Sequence, residues 1–169
     1  MENKILVPYS DQWPRMYQEE EEKIKKVIGE KIMDIQHIGS TSIPKTLSKP
    51  IIDTSVLIDS FKNVDSLIKP LESLGYRYEP TMSSVERHFF KKGSPTQYHL
   101  SIGYTDRGGY WKRQILFRDY LRKHEEVRGE YEQFKLSILR EDATIDKSYT
   151  SNKNEFVDKI VELASKELI

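Results

Sequence analysis

Hydrophobic and polar positions along the chain follow two different periods, and each period indicates a different kind of element. Apolar residues at three- and four-residue spacing indicate helices, whereas alternating or continuous short apolar runs indicate strands. Helical spacing is found in the segments 12–27, 60–74, 110–124, 127–141 and 151–168. Strand patterns are found in the segments 31–38, 51–58, 76–79, 85–91 and 97–104.

The order of these segments predicts the class of fold. One helix precedes two strands, a second helix and three strands follow, and three helices end the chain. We expect an α+β domain with a mixed or antiparallel sheet, flanking helices and a helical C-terminal part. No stretch rich in proline, glycine and serine separates two halves, so we predict that residues 1–169 form a single domain.

The strand 51–58 carries one acidic residue, Asp53, in an otherwise apolar and β-branched run. A buried carboxylate is costly unless it is paired or bound to a metal ion. The two-residue period of a strand puts Asp53 and Ser55 on one face, with Ile52 and Thr54 on the other. Asp53 is therefore a candidate metal ligand. The alternative is that it bonds to nearby backbone or to Lys49.

A glycine–serine pair follows the strand 31–38. Gly39 lets the backbone approach a ligand closely, and the hydroxyls of Ser40 and Thr41 add donors to the N–H groups of a helical turn. This turn is a candidate phosphate site. The alternative is a plain strand-to-loop turn with a serine cap, and the spacing of a Walker A loop is absent.

Two histidines are candidates to complete a site around Asp53. His99 and Ser101 share one strand face, and if their strand neighbours that of Asp53, His99 faces the carboxylate. His37, two residues before Gly39, could reach the same cleft, or it could simply bond to backbone. An aspartate with histidines can bind a transition metal, and an imidazole can act as a general base near neutral pH.

The composition narrows the classes of function. The 169-residue chain has 27 basic and 27 acidic residues, four histidines and no cysteine. Disulfides and thiolate sites are excluded, so a metal ion must use His, Asp, Glu or water. The net charge of zero argues against nucleic acid as the partner. No apolar run approaches the roughly 20 residues of a membrane helix, and no export signal is evident. We therefore expect a cytoplasmic protein without a membrane partner. The sequence leaves the oligomeric state open.

Basic residues concentrate between positions 84 and 125, where nine Lys or Arg stand against four Asp or Glu. A phosphate-bearing small molecule would be drawn to such a surface. Arg118 is a candidate for a bidentate phosphate contact, with surface pairing to Glu125 or Asp119 as the alternative. Lys49 is a second cation that could contact phosphate. Aromatic residues in the same segment could instead stack on RNA bases.

Several segments resemble the GrpB family, which is placed in the nucleotidyltransferase superfamily: HIGSTSIPKTLSKPIID at 37–53, RHFF at 87–90, YHLSI at 98–102, FRDYLRKH at 117–124 and YTSNKNEFV at 149–157. The resemblance covers nearly the whole chain and implies a nucleotidyltransferase-like sheet. It implies that Gly39 and Ser40 hold a triphosphate and that Asp53 holds a divalent metal ion, Mg²⁺ or Mn²⁺. Where the Asp-x-Asp pattern of the superfamily has its second carboxylate, this chain has Ser55. The last segment adds Lys153 to the candidates for nucleotide contact.

The resemblance leads to one main hypothesis and two alternatives. The main hypothesis is a nucleotidyltransferase-like protein that binds a nucleoside triphosphate and a divalent metal ion. It would transfer a nucleotidyl group to an unknown acceptor, with Asp53 and His99 as catalytic residues. Ser55 leaves open whether the protein is an enzyme, and it favours the alternative of a non-catalytic binder of a nucleotide or phosphometabolite. An RNA-binding module is the weaker third hypothesis.

Overall fold

A computed structural model describes the backbone of residues 5–140 and 146–168 and the side chains of residues 5–139 and 153–168. The strands in these ranges are β1 Asp34–Ile38, β2 Ile52–Ile58, β3 Tyr76–Tyr78, β4 Arg87–Lys92 and β5 Tyr98–Tyr104. The α-helices are α1 Trp13–Ile28, α2 Asp65–Ser73, α3 Tyr110–Lys123, α4 Glu125–Arg140 and α5 Asp146–Glu167. The predicted α+β class is confirmed.

The strands form one mixed sheet in the order β1-β2-β5-β4-β3. β2 and β5 are parallel, and every other neighbouring pair is antiparallel. A parallel pair needs a crossover connection, which α2, β3 and β4 provide here. In the resulting register Asp53 lies opposite Ile38 of β1 and His99 of β5, and Ser55 lies opposite Ser101 of β5.

One face of the sheet, the helix-covered face, packs against α1 and α2. Both helices are amphipathic, and they bury Ile24 and Ile28 from α1 and Leu67 and Leu71 from α2. These side chains share a core with residues of the inner strands: Val56, Ile58, Phe90, Leu100 and Ile102. Successive strand residues point to opposite faces, so the second face carries the intervening residues. We call it the Asp53 face: Asp53, Ser55 and Leu57 of β2 with their paired neighbours.

Two compact units divide the chain, Met1–Gln114 and Ile115–Ile169, and the division falls within α3. The first unit contains the sheet with α1 and α2. The second contains the rest of α3 with α4 and α5, and in it the rings of Tyr131 and Phe134 stack on Phe156. That the whole chain is a single domain stays a prediction. None of the helices in the described ranges combines the length and the apolar composition needed to cross a membrane.

The largest differences from the predicted element boundaries are at the starts of two helices. The helix predicted over 60–74 starts late, because the Ser60 hydroxyl accepts a hydrogen bond from the Lys62 N–H and begins a 3₁₀ turn, Phe61–Asn63, ahead of α2. The last helix begins at Asp146, earlier than the predicted residue 151. The predicted end of the preceding helix, residue 141, lies outside the described residues.

Candidate functional site

An Asp–His pair joins the two parallel inner strands. Oδ1 of Asp53 lies 2.9 Å from Nδ1 of His99. The contact follows from the register, since the two residues lie opposite each other on β2 and β5. An ionised carboxylate only accepts hydrogen bonds, so Nδ1 of His99 is the donor in this contact. The contact expected if these strands were neighbours is therefore observed.

The other carboxylate oxygen of Asp53 lies against the glycine of the Gly-Ser turn. Gly39 adopts φ 71° and ψ −176°, a region that is essentially restricted to glycine. A Cβ atom at this position would overlap Oδ2 of Asp53, so glycine is needed both for conformation and for space. The 3₁₀ turn Ser40–Ser42 follows directly. The fold thus brings the carboxylate into contact with the start of the Gly-Ser turn.

Two serines lie one residue pair further along the same face. Ser55 and Ser101 lie opposite each other, beyond Asp53 and His99 on the same strands. Oγ of Ser55 is fully buried and has no hydrogen-bond partner among the described residues. Oγ of Ser101 lies 3.3 Å from the hydroxyl of Tyr110. Ser55 therefore occupies the expected second-carboxylate position without supplying a charge.

Arg87 is a site residue that the sequence analysis did not single out. Its Nη1 donates to the Tyr110 hydroxyl at 2.8 Å and lies 3.4 Å from Oγ of Ser101. The motif RHFF contains a hint of this placement. Strand alternation puts Arg87 and Phe89 on one face and His88 and Phe90 on the other. Alternation does not say which strand is the neighbour, and the pairing of β4 with β5 is what brings Arg87 to the Asp53 face.

The site fits a metal ion that is held jointly with a ligand. Within the described residues, no group of three or more His, Cys, Asp or Glu side chains could hold a metal ion. Mg²⁺ is commonly bound through one or two carboxylates together with substrate phosphates and water. Asp53 fits this arrangement, since 31% of its side chain is exposed and it adjoins the Gly-Ser turn. His99 would add a nitrogen ligand of a kind that transition metals prefer.

The structure separates His37 and Thr41 from the Asp–His pair. His37 lies opposite Thr54 and so belongs to the helix-covered face. Its ring stacks on Tyr17 of α1 with centroids 4.8 Å apart, and its Nε2 shares a 2.9 Å hydrogen bond with the Thr41 hydroxyl. The next residue, Ile38, is the one opposite the carboxylate. Both side chains are buried and bonded to each other, and metal binding by His37 and phosphate binding by Thr41 stay predictions.

Lys49 lies in the loop directly before β2. Its carbonyl accepts hydrogen bonds from the Ile51 N–H at 2.8 Å and from the Ser48 hydroxyl at 2.7 Å. In the part of the chain that the structure describes, the Asp53 carboxylate pairs with His99 and not with Lys49. The phosphate contact of Lys49 stays a prediction.

Arg118 and Lys153 belong to the second unit. Arg118 is 7% exposed, and its Nε donates to Asp119 at 2.8 Å. The apolar spacing of α3 predicts Arg118 outside the buried stripe, which is wrong because a long arginine stem can cover apolar surface. Lys153 is exposed. Burial lowers the pKa of Lys135 to about 8. Glu132 acts to raise this pKa, and the charge of Lys153 acts to lower it. The phosphate contacts of Arg118 and Lys153 stay predictions.

These observations define a class of protein, an α+β chain in which an Asp–His pair and a Gly-Ser turn meet on one face of a mixed sheet. The chain belongs to the GrpB family: the family described as GrpB protein matches residues 4–163. It is 33% identical over 162 residues to glutamate-rich protein GrpB of Alkalihalophilus pseudofirmus, covering 93% of each chain. It is 31% identical to the UPF0157 protein YqkA of Bacillus subtilis, covering 95% of this chain and 47% of YqkA, so it spans about half the length of that relative.

A solved structure of the family shows the same fold. The crystal structure of conserved protein GrpB from Enterococcus faecalis superposes with a TM-score of 0.84 at 29% identity, covering 97% of this chain and 99% of that one. A lower similarity, with a TM-score of 0.47 at 14% identity, is to Cid1 poly(U) polymerase and covers 72% of this chain and 39% of that one. The first similarity confirms the fold as that of the GrpB family, and the second is too low to support any inference about chemistry.

Proposed function

We propose that the protein binds a nucleoside triphosphate with a divalent metal ion on the Asp53 face and transfers a nucleotidyl group to an acceptor. The observation that carries this proposal is the close approach of Asp53 Oδ2 to Gly39. It joins a partly exposed carboxylate to the backbone of a glycine–serine turn, and these are the two kinds of group that a metal-bound triphosphate needs. The resemblance to the nucleotidyltransferase superfamily points to the same pair.

Each residue of the site has a separate task in this proposal. Gly39 and Ser40 bind phosphate oxygens through main-chain N–H groups and the serine hydroxyl. Asp53 holds Mg²⁺ or Mn²⁺, which when bound neutralises charge on the phosphoryl group being transferred. Asp53 also orients His99, whose Nε2 takes the proton of the attacking hydroxyl or amine. The acceptor forms a bond to the α-phosphorus as the bond to the leaving pyrophosphate breaks.

Pyrophosphate release tests the proposal. The protein is incubated with each nucleoside triphosphate, Mn²⁺ or Mg²⁺, and a small-molecule cell extract that supplies acceptors. We expect metal-dependent release that Asp53→Asn abolishes and that His99→Gln lowers by roughly two orders of magnitude or more. Asp34→Asn is the matched control, because Asp34 lies on the same face opposite Leu57 and away from the Gly-Ser turn. Absence of release with every nucleotide would contradict transfer.

Non-catalytic binding of a nucleotide or phosphometabolite is the second candidate function, and Ser55 favours it. A two-metal mechanism needs a second acid to hold the second ion, and Ser55 offers only a buried hydroxyl without a described partner. Calorimetric titration distinguishes the two functions. Nucleotide binding that depends on metal and on Asp53, with no release of pyrophosphate, would identify a binder.

A further inference from the structure

Arg87 is held in a fixed position on the Asp53 face. It begins β4 and lies opposite Gly103 of β5. Its Nη1 donates to the Tyr110 hydroxyl at 2.8 Å, and its guanidinium lies 4.6 Å from the ring centroid of Phe89 and 4.9 Å from that of Tyr110. Contact with two aromatic rings and a hydroxyl fixes the plane of the guanidinium. A group that is already oriented loses little conformational freedom when it binds a ligand.

No carboxylate in the described part of the chain neutralises Arg87. The partners described for its guanidinium are uncharged: the hydroxyls of Tyr110 and Ser101 and the aromatic rings beside it. These hydrogen bonds use Nη1, whereas a guanidinium carries further N–H donors on Nε and Nη2. A partly buried cation without an acidic partner is unfavourable. Its remaining donors have the geometry that binds a carboxylate or a phosphate through two parallel hydrogen bonds.

Ser55 supplies a second observation that points to a ligand. Its residue exposure is 0%, and its Oγ has no hydrogen-bond partner among the described residues. It lies directly opposite Ser101, whose own Oγ is 3.4 Å from Nη1 of Arg87. A hydroxyl without a partner and a cation without a counter-charge therefore lie on either side of Ser101. Buried polar groups are normally satisfied, so an oxyanion bound by Arg87 would meet a second unused hydroxyl beside Ser101.

We infer that Arg87 forms an oxyanion subsite that binds the carboxylate or phosphate group of the acceptor molecule, an assignment that rests on the proposed transfer function. Ser101, whose Oγ lies 3.4 Å from Nη1 of Arg87, is two positions from His99 on β5. Strand residues two positions apart are separated by about 7 Å, so the near edge of this subsite is about 7 Å from His99. The Phe89 ring lies between His99 and Arg87. Its centroid is 5.0 Å from that of His99 and 4.6 Å from the guanidinium of Arg87. The acceptor is then a small molecule with an anionic group at one end and a hydroxyl or amine at the other.

Titration with simple anions tests the subsite in the absence of nucleotide and metal ion. Inorganic phosphate and succinate are the probes, and binding to the full chain is followed by calorimetry and NMR chemical shifts. Arg87→Met should weaken binding about tenfold or more, and Tyr110→Phe, which removes the hydroxyl that holds Arg87, should weaken it less. The matched control is Arg77→Met, which removes an exposed cation from β3 on the same face. It should leave the affinity unchanged.

The two probes also distinguish the class of acceptor, because tighter binding of phosphate indicates a phosphorylated acceptor and tighter binding of succinate a carboxylate. Equal affinities of the parent and Arg87→Met, or no detectable binding of either probe to the parent, would overturn the inference. Loss of phosphate binding in Ser40→Ala but not in Arg87→Met would assign the anion to the Gly-Ser turn and would also overturn it. If Arg87→Met alone loses binding, the subsite stands even when the pyrophosphate assay fails.

Discussion

The two faces of the sheet use the same strands and place histidines in opposite surroundings. On the helix-covered face, His37 stacks on Tyr17 and shares a hydrogen bond with Thr41. On the Asp53 face, His99 bonds to a carboxylate that remains 31% exposed. The difference is one step of strand alternation, which turns one histidine into a packing residue and leaves the other with a basic nitrogen beside an acid.

Polar groups differ between the faces as well. Each face has a buried hydroxyl without a described partner, Thr54 on the helix-covered face and Ser55 on the Asp53 face. Around Thr54 the neighbours on β1 and β5 are His37 and Leu100, whereas Ser55 adjoins Ser101 and its polar contacts. The helix-covered face packs on α1 and α2, and the Asp53 face carries the residues proposed to bind a ligand.

The largest expected effect is a difference in stability between substitutions at two neighbouring positions of β5. Leu100 is fully buried on the helix-covered face, and Leu100→Ala should lower the free energy of unfolding by about 3 kcal/mol, through lost burial and a cavity. Ser101→Ala, on the Asp53 face, should cost less than about 1 kcal/mol. Urea unfolding followed by circular dichroism measures both. Equal losses at the two positions would mean that the faces are not energetically distinct.

Gly39→Ala should destabilise the protein by about 2 kcal/mol, because Gly39 has φ 71° and its new Cβ atom would overlap Asp53 Oδ2. Gly109→Ala is the control, since no atom lies within 4 Å of its Cβ position, and it should change stability by less than about 0.5 kcal/mol. Adding Asp53→Ala to Gly39→Ala should recover part of the loss. Strictly additive effects in this cycle would refute the contact between the acid and the turn.

Thr54→Val and Ser55→Ala test the two hydroxyls that lack described partners. Each replacement removes an unsatisfied buried group, so each should change the free energy of unfolding by between zero and about 1 kcal/mol in the stabilising direction. Only Ser55→Ala should also weaken the binding of inorganic phosphate. Thermal unfolding and the anion titration together measure this, and a loss of anion affinity in Thr54→Val would break the distinction between the faces.

A pH-dependent effect tests the helix-covered face alone. Burial lowers the pKa of His88 below its usual 6.5, against an opposing effect of Asp65. As the pH falls below 6.5, the unfolded chain takes up this proton before the folded one, so stability falls with pH in that window. The slope from one group is at most about 1.4 kcal/mol per pH unit.

His88→Gln should remove this slope and leave the curve above pH 7.5 parallel to that of the parent, as urea unfolding at several pH values would show. A parent whose stability is flat between pH 6.5 and 5 would contradict the pKa shift.

The local sequence pattern predicts which residues of a strand share a face, but it does not predict which strands are neighbours in the sheet. Alternation alone assigns Asp53 and Ser55 to one face and Ile52 to the other, as observed. The contact between Asp53 and His99 could be predicted only as a condition, because the pairing of β2 with β5 depends on packing between distant segments. For the same reason Arg87 was not identified from the sequence.

Two candidate residues have surroundings that the sequence pattern does not predict. His37 is close to Gly39 in the chain, yet strand alternation turns its side chain to the opposite face from Asp53. Arg118 falls outside the apolar spacing of α3, yet it is 7% exposed and bonds to Asp119. The face and the neighbours of a residue depend on strand register and tertiary packing, which are not visible in a single sequence.

Metal-dependent nucleotide binding is the most direct test of the role of Asp53. Each nucleoside triphosphate is titrated calorimetrically with Mn²⁺ into the parent, Asp53→Asn and the control Asp34→Asn. We expect the parent and Asp34→Asn to bind at least one nucleotide equally well, and Asp53→Asn to bind it about tenfold or more weakly because a metal ligand is lost. Equal affinity of Asp53→Asn and the parent, or no nucleotide binding by the parent, would contradict it.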